Sequence, residues 1–311
     1  MQDIKKHKQK IAAALIFVLL FLWFSLFLMK KIDLTTADLG RHIKNGEIIL
    51  SSGLQNFSNL EIFKKNYYSY TNPDFPFINH HWGSGVVFYL IFRAGGWFTL
   101  SFFYILLSIL TFGIFFFMAR KEAGTVLAVA LSMILIPLMA SRSEIRPEIF
   151  TYLFSGIFFF ICYFSQKSAI NPKWLYLLIP LSFVWANLHI AFFFGFIIMG
   201  IFLAEGLLSL LLSHSSKWKK ILPKRRIKEL AVSFILSLFV TVLNPNGLAG
   251  VLEILKIFKN YGYLIVENQS IGFLEKLNHT AGLNFLLFKI SFLILLVSFI
   301  FVLIRKRKSF S

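Results

Sequence analysis

The apolar positions of the chain fall into long continuous stretches, and short polar segments rich in Lys and Arg separate them. A helix needs about 20 mostly apolar residues to cross the ~30 Å hydrocarbon core of a bilayer. Eight stretches reach or approach that length, so we predict about eight transmembrane helices. They are expected over residues 11–29, 97–118, 123–140, 149–165, 174–189, 190–212, 230–243 and 283–304.

The composition favours an all-α polytopic membrane protein over a soluble one. Of the 311 residues, 57% are apolar and 15% are charged, whereas a soluble domain has about 45–50% apolar and about 25% charged residues. The apolar stretch at 83–93 is only about half a span long, and we interpret it as an interfacial helix. The single Cys excludes a disulfide framework.

The net charge of +18 is distributed unevenly between the two sides of the predicted membrane. With the N-terminus inside, the inner segments carry +16 and the outer segments +2, as the positive-inside rule expects. The basic runs at 217–228 and 305–308 then lie near anionic lipid. We therefore predict no nucleic-acid partner, a bacterial plasma (inner) membrane location, membrane lipid as a partner, and both termini in the cytoplasm.

The order of polar and apolar segments divides the chain into five parts. The first apolar stretch ends in Lys30-Lys31 without a small-residue cleavage site, which indicates a retained helix rather than a signal peptide. The parts are a basic cytoplasmic N-terminus (1–10), a first transmembrane helix (11–29), an extracytoplasmic loop with interfacial helices (30–96), a bundle of about seven transmembrane helices (97–304) and a basic cytoplasmic tail (305–311).

The outer loop at 30–96 carries the first candidate catalytic residues. Asp38, His42 and Gly46 recur every four residues, so on a helix they share one face and the carboxylate lies beside the imidazole. Asp38 is then a candidate base for a hydroxyl group, with His42 as its partner. The alternative is structural: Asp38 lies at a helix start and His42 satisfies it.

The loop closes with His80, His81 and Trp82. Paired histidines suggest a phosphate or metal contact, and Trp82 suggests an aromatic ring at the membrane interface. Adjacent histidines seldom bind the same metal ion, and no carboxylate stands at ligand spacing. We therefore predict substrate-binding roles for these three residues rather than a zinc site.

Two further outer positions combine polar residues with the membrane boundary. Arg142 and Arg146 lie on the short turn between the third and fourth spans, and Arg suits bidentate phosphate recognition. The alternative for this turn is ion pairing with the glutamates beside them. Asn187 and His189 end the fifth span, where polar side chains tend to face a cavity or a partner. We predict substrate binding for all four.

Taken in order, these landmarks resemble the bacterial membrane proteins of the C-type glycosyltransferase (GT-C) superfamily, which are related to dolichyl-phosphate-mannose protein mannosyltransferases. The resemblance covers about 38–247. Two positions depart from the pattern: Gly40-Arg41 replaces an aromatic run, and His81 stands where a Glu is expected. The matching residues are Asp38/His42/Gly46, Tyr70-Thr71, His80/Trp82, Arg146-Pro147, Trp185-Ala186-Asn187/His189 and Asn244-Pro245/Gly247.

The resemblance implies a GT-C-like fold and transfer of a sugar from a polyprenyl-phosphate donor at the outer face of the membrane. Asp38 matches the usual catalytic base, and the acceptor is a lipid, a glycan or a protein. A divalent metal ion is a possible cofactor. The alternative is a non-catalytic binding protein or transporter for lipid-linked sugars, although transporters tend to carry ionisable residues at the bilayer midplane. A structural membrane protein is the third possibility.

Overall fold

The structure is a computed structural model that describes residues 2–34, 38–53, 60–141, 143–212, 223–256, 269–278 and 282–308. Ten α-helices form in these ranges, and the same ranges contain no β-strand. The all-α prediction is confirmed for them. The helices are α1 (Gln2–Leu28), α2 (Leu39–Ser51), α3 (Trp82–Ala140), α4 (Glu148–Gln166), α5 (Leu178–Leu188), α6 (Phe193–Leu212), α7 (Lys224–Thr241), α8 (Gly247–Leu252), α9 (Ile271–Asn278) and α10 (Leu283–Lys308).

Four helical segments are long and apolar enough to cross a membrane. Two are α3 and α4, and the others are Ile190–Leu211 and Leu283–Arg305. The apolar part of α1, Ala14–Leu28, is shorter. Length and composition together indicate a helical protein embedded in a membrane.

The 59-residue helix α3 contains two glycines with left-handed backbone geometry. Gly96 has φ +68° and Gly124 has φ +81°, a conformation that costs residues with a Cβ atom free energy but is open to glycine. An unbroken helix of this length would extend about 90 Å, three times the bilayer core. The two glycines interrupt it near the borders predicted between 83–93, 97–118 and 123–140.

The chain forms two compact units, and the boundary between them falls within α3. The first unit comprises residues 1–30, 116–143 and 258–311. Within it, the Phe17 ring of α1 lies 5.6 Å from the Phe116 ring of α3. Lys289 of α10 binds Glu275 of α9 at 2.7 Å.

The second unit comprises residues 31–115 and 144–257, and it holds the loop that precedes α3. Helices α4 to α7 pack together in this unit. Trp185 of α5 is fully buried, and Phe154 of α4 stacks on it with ring centres 5.5 Å apart. Arg226 of α7 is also buried, and its guanidinium donates to the Ser165 carbonyl at 2.8 Å. The unit thus has an aromatic core and a polar tie between α4 and α7.

Glycines allow α2 to approach the start of α3 very closely. A Cβ atom at Gly46 would overlap the Gly85 carbonyl, and one at Gly85 would lie 2.6 Å from the His42 carbonyl oxygen. A Cβ atom at Gly83 would likewise overlap the Asn187 carbonyl oxygen, at 2.4 Å. Between these glycines, the Ser84 hydroxyl donates to the carbonyl of Leu188. The segment 83–85 therefore packs α3 against both α2 and the end of α5.

Candidate functional site

The loop that precedes α3 is held together by backbone hydrogen bonds between its segments 63–64 and 77–79. The amide of Phe77 donates to the Lys64 carbonyl at 2.9 Å, and the amide of Asn79 donates to the Phe63 carbonyl at 3.1 Å. These bonds fix the backbone of residues 77–79. They therefore also restrict the positions of His80 and His81, which follow directly. A small apolar cluster anchors this loop on α2, and its buried members are Ile49, Ile62 and Phe63.

Four of the predicted residues meet in one group of imidazoles around His81. The His81 ring stacks on His189 with centres 4.9 Å apart and an interplanar angle of 19°. It meets the His80 ring at 4.1 Å and the His42 ring at 5.5 Å, both edge to face. Residues separated by more than 140 positions in the sequence are thereby brought into contact.

Burial sets the protonation state of these imidazoles. It lowers the pKa of His42 to about 3 and that of His80 to about 4, and it holds the pKa of His81 well below its usual range. The three rings are therefore neutral at pH 7, because desolvation disfavours the charged form. The N–H group of neutral His80 is at Nδ1 and donates to the Ile78 carbonyl at 3.0 Å, so this ring offers a phosphate neither a positive charge nor an N–H group.

Hydrogen bonds assign a tautomer to His189. The Trp185 indole donates to the Thr151 hydroxyl at 3.1 Å, and that hydroxyl lies 2.7 Å from Nδ1 of His189. The amide of Ala191 also donates to this Nδ1 at 3.3 Å. Since Nδ1 accepts from both groups, the ring proton is on Nε2. His189 is thus a buried residue with a satisfied Nδ1.

Trp82 and Asn187 bond to each other. The Trp82 indole donates to the Asn187 Oδ1 atom at 3.1 Å. The Asn187 amide nitrogen donates to the carbonyls of Phe183 at 2.9 Å and Leu243 at 3.1 Å. Asn187 therefore ties the start of α3 to α5 and to the turn that follows α7. This geometry gives the pair a positioning role.

Asp38 immediately precedes α2 and is exposed, with 69% of its side chain accessible. Its backbone is left-handed, with φ 52°. The carboxylate accepts from Arg41 at 3.0 Å, whereas the His42 ring turns inward to His81. The predicted side-by-side arrangement of Asp38 and His42 is therefore replaced by an Asp38–Arg41 pair, because burial among the other imidazoles orients His42.

Of the two arginines predicted to bind substrate, only Arg146 lies within the described residues. Arg146 donates to Glu144 at 2.8 Å and lies 4.0 Å from Glu148, so the ion pairs of the structural alternative are present. Arg146 is also close enough to lower the pKa of His42 electrostatically. Arg142 lies outside the described residues.

Next to Arg41 the loop encloses a small pocket, which we call the Asn79 pocket. The space in it that a water-sized group can occupy is about 20 Å³, enough for one water molecule. Arg41 lies 5.9 Å from the centre of the Phe77 ring, over its face. The pocket is lined mainly by Arg41, Asn45, Tyr67, Tyr68, Phe77 and Asn79.

Phe77 also borders a larger opening, which we call the lysine cleft. Its volume is about 440 Å³, within the range of small-molecule sites. Lys64 lines one side and Lys256 the other, and Lys256 binds Glu253 at 2.8 Å. The Glu253 carboxylate also lines the cleft. Apolar and amide groups complete the lining, namely Pro76, Phe77, Ile78, Pro245, Asn246 and Ala249.

Among the described residues, no group of three or more His, Cys, Asp or Glu side chains is arranged to hold a metal ion. The imidazoles around His81 contact each other ring to ring. These four imidazoles do not fit a metal centre. The divalent ion that the resemblance allows is untested and stays a prediction.

Sequence reasoning missed Arg41 and Asn79 as site residues. Arg41 follows Asp38 by three positions, a spacing at which opposite charges pair on a helix. That signal was present in the sequence. Asn79 was visible only as the neighbour of His80, because its place in the pocket depends on the fold of the loop.

No known protein family matches the chain, and neither a curated protein nor a solved structure is similar to it.

Proposed function

We propose that the protein is a GT-C-type glycosyltransferase that moves a sugar from a polyprenyl-phosphate donor to an acceptor at the outer face of the membrane. One arrangement of groups supports the proposal most. The exposed Asp38 carboxylate pairs with Arg41, and Arg41 lies over the Phe77 ring. Phe77 in turn lines the cleft that also contains Lys64 and Lys256. A base, an electrophile site and cations for a phosphate are the parts that inverting sugar transfer needs.

Asp38 is proposed to act as the general base. One carboxylate oxygen, Oδ2, is held by Arg41 at 3.0 Å, which fixes the group while it remains exposed to an acceptor. Asp38 takes the proton of the acceptor hydroxyl as that oxygen attacks the anomeric carbon. The bond between that carbon and the phosphate oxygen breaks, polyprenyl phosphate leaves with the electron pair, and the configuration inverts.

The lysine cleft is proposed to receive the donor phosphate. Lys64 and Lys256 supply positive charge toward the leaving group, and the apolar lining admits the adjoining part of the sugar. His80 adds no donor group, since burial lowers its pKa to about 4 and its one N–H group donates to the Ile78 carbonyl. Substrate binding by His81, Trp82, Asn187 and His189 is then indirect: in this proposal they position the loop and α3.

The proposed topology has eight spans with both termini in the cytoplasm of a bacterial cell. The four apolar helical segments support four of the spans. The charge asymmetry and the glycine interruptions of α3 support further division of the chain. This topology puts the loop that carries Asp38 on the outer side, where a lipid-linked donor would be met.

The test is sugar release from defined donors. Purified protein in liposomes is incubated with a panel of polyprenyl-phosphate hexoses and pentoses and a crude envelope extract as acceptor, and free polyprenyl phosphate is quantified by mass spectrometry. We expect Asp38→Asn to lower the release rate by about 10²–10⁴-fold, the usual cost of losing a general base.

Asp74→Asn is the matched control. Asp74 is an exposed carboxylate of the same loop and accepts from Lys65 at 3.0 Å, as Asp38 does from Arg41. We expect this variant to keep the wild-type rate. Wild-type rates in Asp38→Asn would refute the base assignment. Donor binding without release in the wild-type protein would favour the non-catalytic alternative.

A further inference from the structure

The imidazoles around His81 join three separate parts of the chain. His42 lies on α2, His80 and His81 end the loop, and His189 follows α5. We call these four residues the histidine cluster. The centre of the His81 ring lies within 5.5 Å of the centres of the other three rings. The cluster therefore exists only while the loop segment 77–81 lies against α2 and the end of α5.

Ring contacts rather than hydrogen bonds hold the centre of this cluster. The Nδ1 atoms of His42 and His81 are buried, and neither has a hydrogen-bond partner in the part of the chain that the structure describes. An imidazolium ion donates from both ring nitrogens, so a protonated ring at either position would have a buried N–H group without an acceptor. Burial of an unpaired charged donor costs free energy. The folded arrangement therefore favours the neutral form of both rings.

The cations next to the cluster also oppose protonation. Arg41 of α2 lowers the pKa of His42 and of both histidines of the loop. Arg146, from the turn before α4, lowers the pKa of His42 as well. Within the cluster, a charged ring would repel a second charged ring across 4.1–5.5 Å between centres. Each added proton thus makes the next one harder to accept.

The acidic groups that face the cluster are engaged with cations. Glu253, which follows α8, favours the charged form of His80, but it also binds Lys256 at 2.8 Å. Glu144 binds Arg146 at 2.8 Å. These carboxylates do not offset the effect of burial, which is the largest cause of the lowered pKa of His80. The docked segment is therefore stable with neutral rings and unstable with charged ones.

We propose that the histidine cluster is a proton-sensitive switch: it holds the segment 77–81 against α2 and α5 while its rings are neutral and releases that segment in mild acid, before the helices unfold. This inference goes beyond the proposed function and does not rest on it, because the switch needs no substrate.

Release of the segment would remove one wall of the lysine cleft. Phe77 and Ile78 line that cleft and lie directly before the two loop histidines. Their backbone is bonded to the other side of the loop, since the Phe77 amide donates to the Lys64 carbonyl. A released segment breaks this bond, so the cleft is complete only at a pH at which the cluster is neutral.

Proton linkage sets the expected size of the effect. A released histidine takes up a proton near pH 6.5, whereas in the docked segment burial lowers the pKa of His42 to about 3 and that of His80 to about 4. Each released ring therefore multiplies the equilibrium constant for release by about 25 between pH 7 and pH 5. His42, His80 and His81 together give a factor of about 10⁴.

Hydrogen exchange measures the release directly. The full-length protein in detergent is exchanged between pH 7.5 and pH 5, and each rate is divided by the intrinsic rate at that pH to give a protection factor. We expect the amides of Phe77 and Asn79, which bond across the loop, to lose protection by up to about 10⁴-fold between pH 7 and pH 5. Helix α4 should keep its protection, and return to pH 7 should restore the segment.

His81→Phe tests the centre of the cluster. The change keeps a ring in the same contacts, removes no hydrogen bond at Nδ1 and leaves no group that can be protonated. We expect the loss of protection between pH 7 and pH 5 to shrink by about 25-fold. His42→Phe, on α2, should have the same effect. His7→Phe is the matched control, because His7 is exposed on α1, and it should leave the pH dependence unchanged.

Three results would overturn the switch. They are protection of Phe77 and Asn79 that does not change between pH 7.5 and pH 5, an equal loss in α4, and a full pH dependence in both phenylalanine variants. If His81→Phe does not fold, His42→Phe and the comparison of the segment with α4 in the wild-type protein still decide. No donor or acceptor is present in this experiment, so its result is independent of sugar transfer.

Discussion

Burial, rather than a charged partner, governs the imidazoles around His81. Desolvation is the largest cause of the lowered pKa of His42, His80 and His81, and nearby positive charges from Arg41 act in the same direction on all three. The nitrogen Nδ1 of His42 and that of His81 have no hydrogen-bond partner in the described structure. At this scale the histidines are neutral packing groups that hold α2 against the loop.

Acid is expected to destabilise the protein through these residues. In the unfolded chain a His binds a proton near pH 6.5, whereas in the folded protein the pKa is about 3 for His42 and about 4 for His80. The unfolded state therefore takes up protons first, and stability falls as the pH drops below 6.5. We expect the melting temperature in detergent to be constant above pH 7 and to decrease between pH 6.5 and pH 5.

Variants identify the source of this pH dependence. His42→Gln should reduce the slope of melting temperature against pH, whatever its effect on stability at pH 7. His7→Gln is the control, since His7 is exposed on α1, and its slope should equal that of the wild-type protein. An unchanged slope in His42→Gln would show that burial of this imidazole does not control acid stability.

At the scale of elements, α2 and α3 can pack closely only because glycines, which have no side chain, occupy the contact. Gly46 faces the backbone of Gly85, which cannot rotate away as a side chain can. Gly40 lies on the same helix with open space where its Cβ atom would be. The two glycines differ in surroundings while sharing one helix, so they form a natural comparison.

Gly46→Ala is expected to destabilise the protein by about 1–3 kcal/mol or more, because the added methyl group overlaps a backbone carbonyl. Gly40→Ala should be neutral or stabilising by up to about 1 kcal/mol, since alanine favours helix. Thermal unfolding of both variants in the same detergent measures the difference. Equal stability of the two would contradict the close approach of α2 and α3.

On the scale of the whole molecule, large apolar side chains cover much of the described surface. In α10, Leu295 is 70% exposed and Phe301 is 62% exposed. Such a surface is unstable in water and suits lipid contact. The polar clefts, by contrast, are lined by residues 41–79 and by the segment 245–256.

The orientation in the membrane can be tested with cysteine labelling. The native Cys162 is buried, so an introduced cysteine is the reactive one among the described positions. We expect Tyr70→Cys, at a residue that is 95% exposed, to react with a membrane-impermeant maleimide on intact cells. Lys228→Cys on α7 should react only after the cells are permeabilised. The reverse pattern would contradict an outer loop and a cytoplasmic N-terminus.

The sequence was informative about the helices because a lipid-exposed helix is apolar along its length. This pattern does not depend on which other helices pack against it. The structure describes a single helix over 82–140 where the sequence predicts separate segments at 83–93, 97–118 and 123–140, and the two left-handed glycines, Gly96 and Gly124, lie near those predicted borders. The sequence was less informative about side-chain partners. Asp38 and His42 share a spacing that predicts contact, yet burial turns His42 away and leaves Asp38 to Arg41.

By itself, then, the sequence determined an all-α, membrane-embedded chain and the loop at 30–96 in which chemistry is expected. Only the tertiary structure decided that Asn187 is engaged by backbone carbonyls and that the buried amide nitrogen of Asn79 has no hydrogen-bond partner among the described residues. The physical reason is that the two properties depend on interactions of different range along the chain. Hydropathy is a property of each segment in its solvent, whereas hydrogen-bond satisfaction depends on which distant backbone and side-chain groups the fold brings within 3 Å.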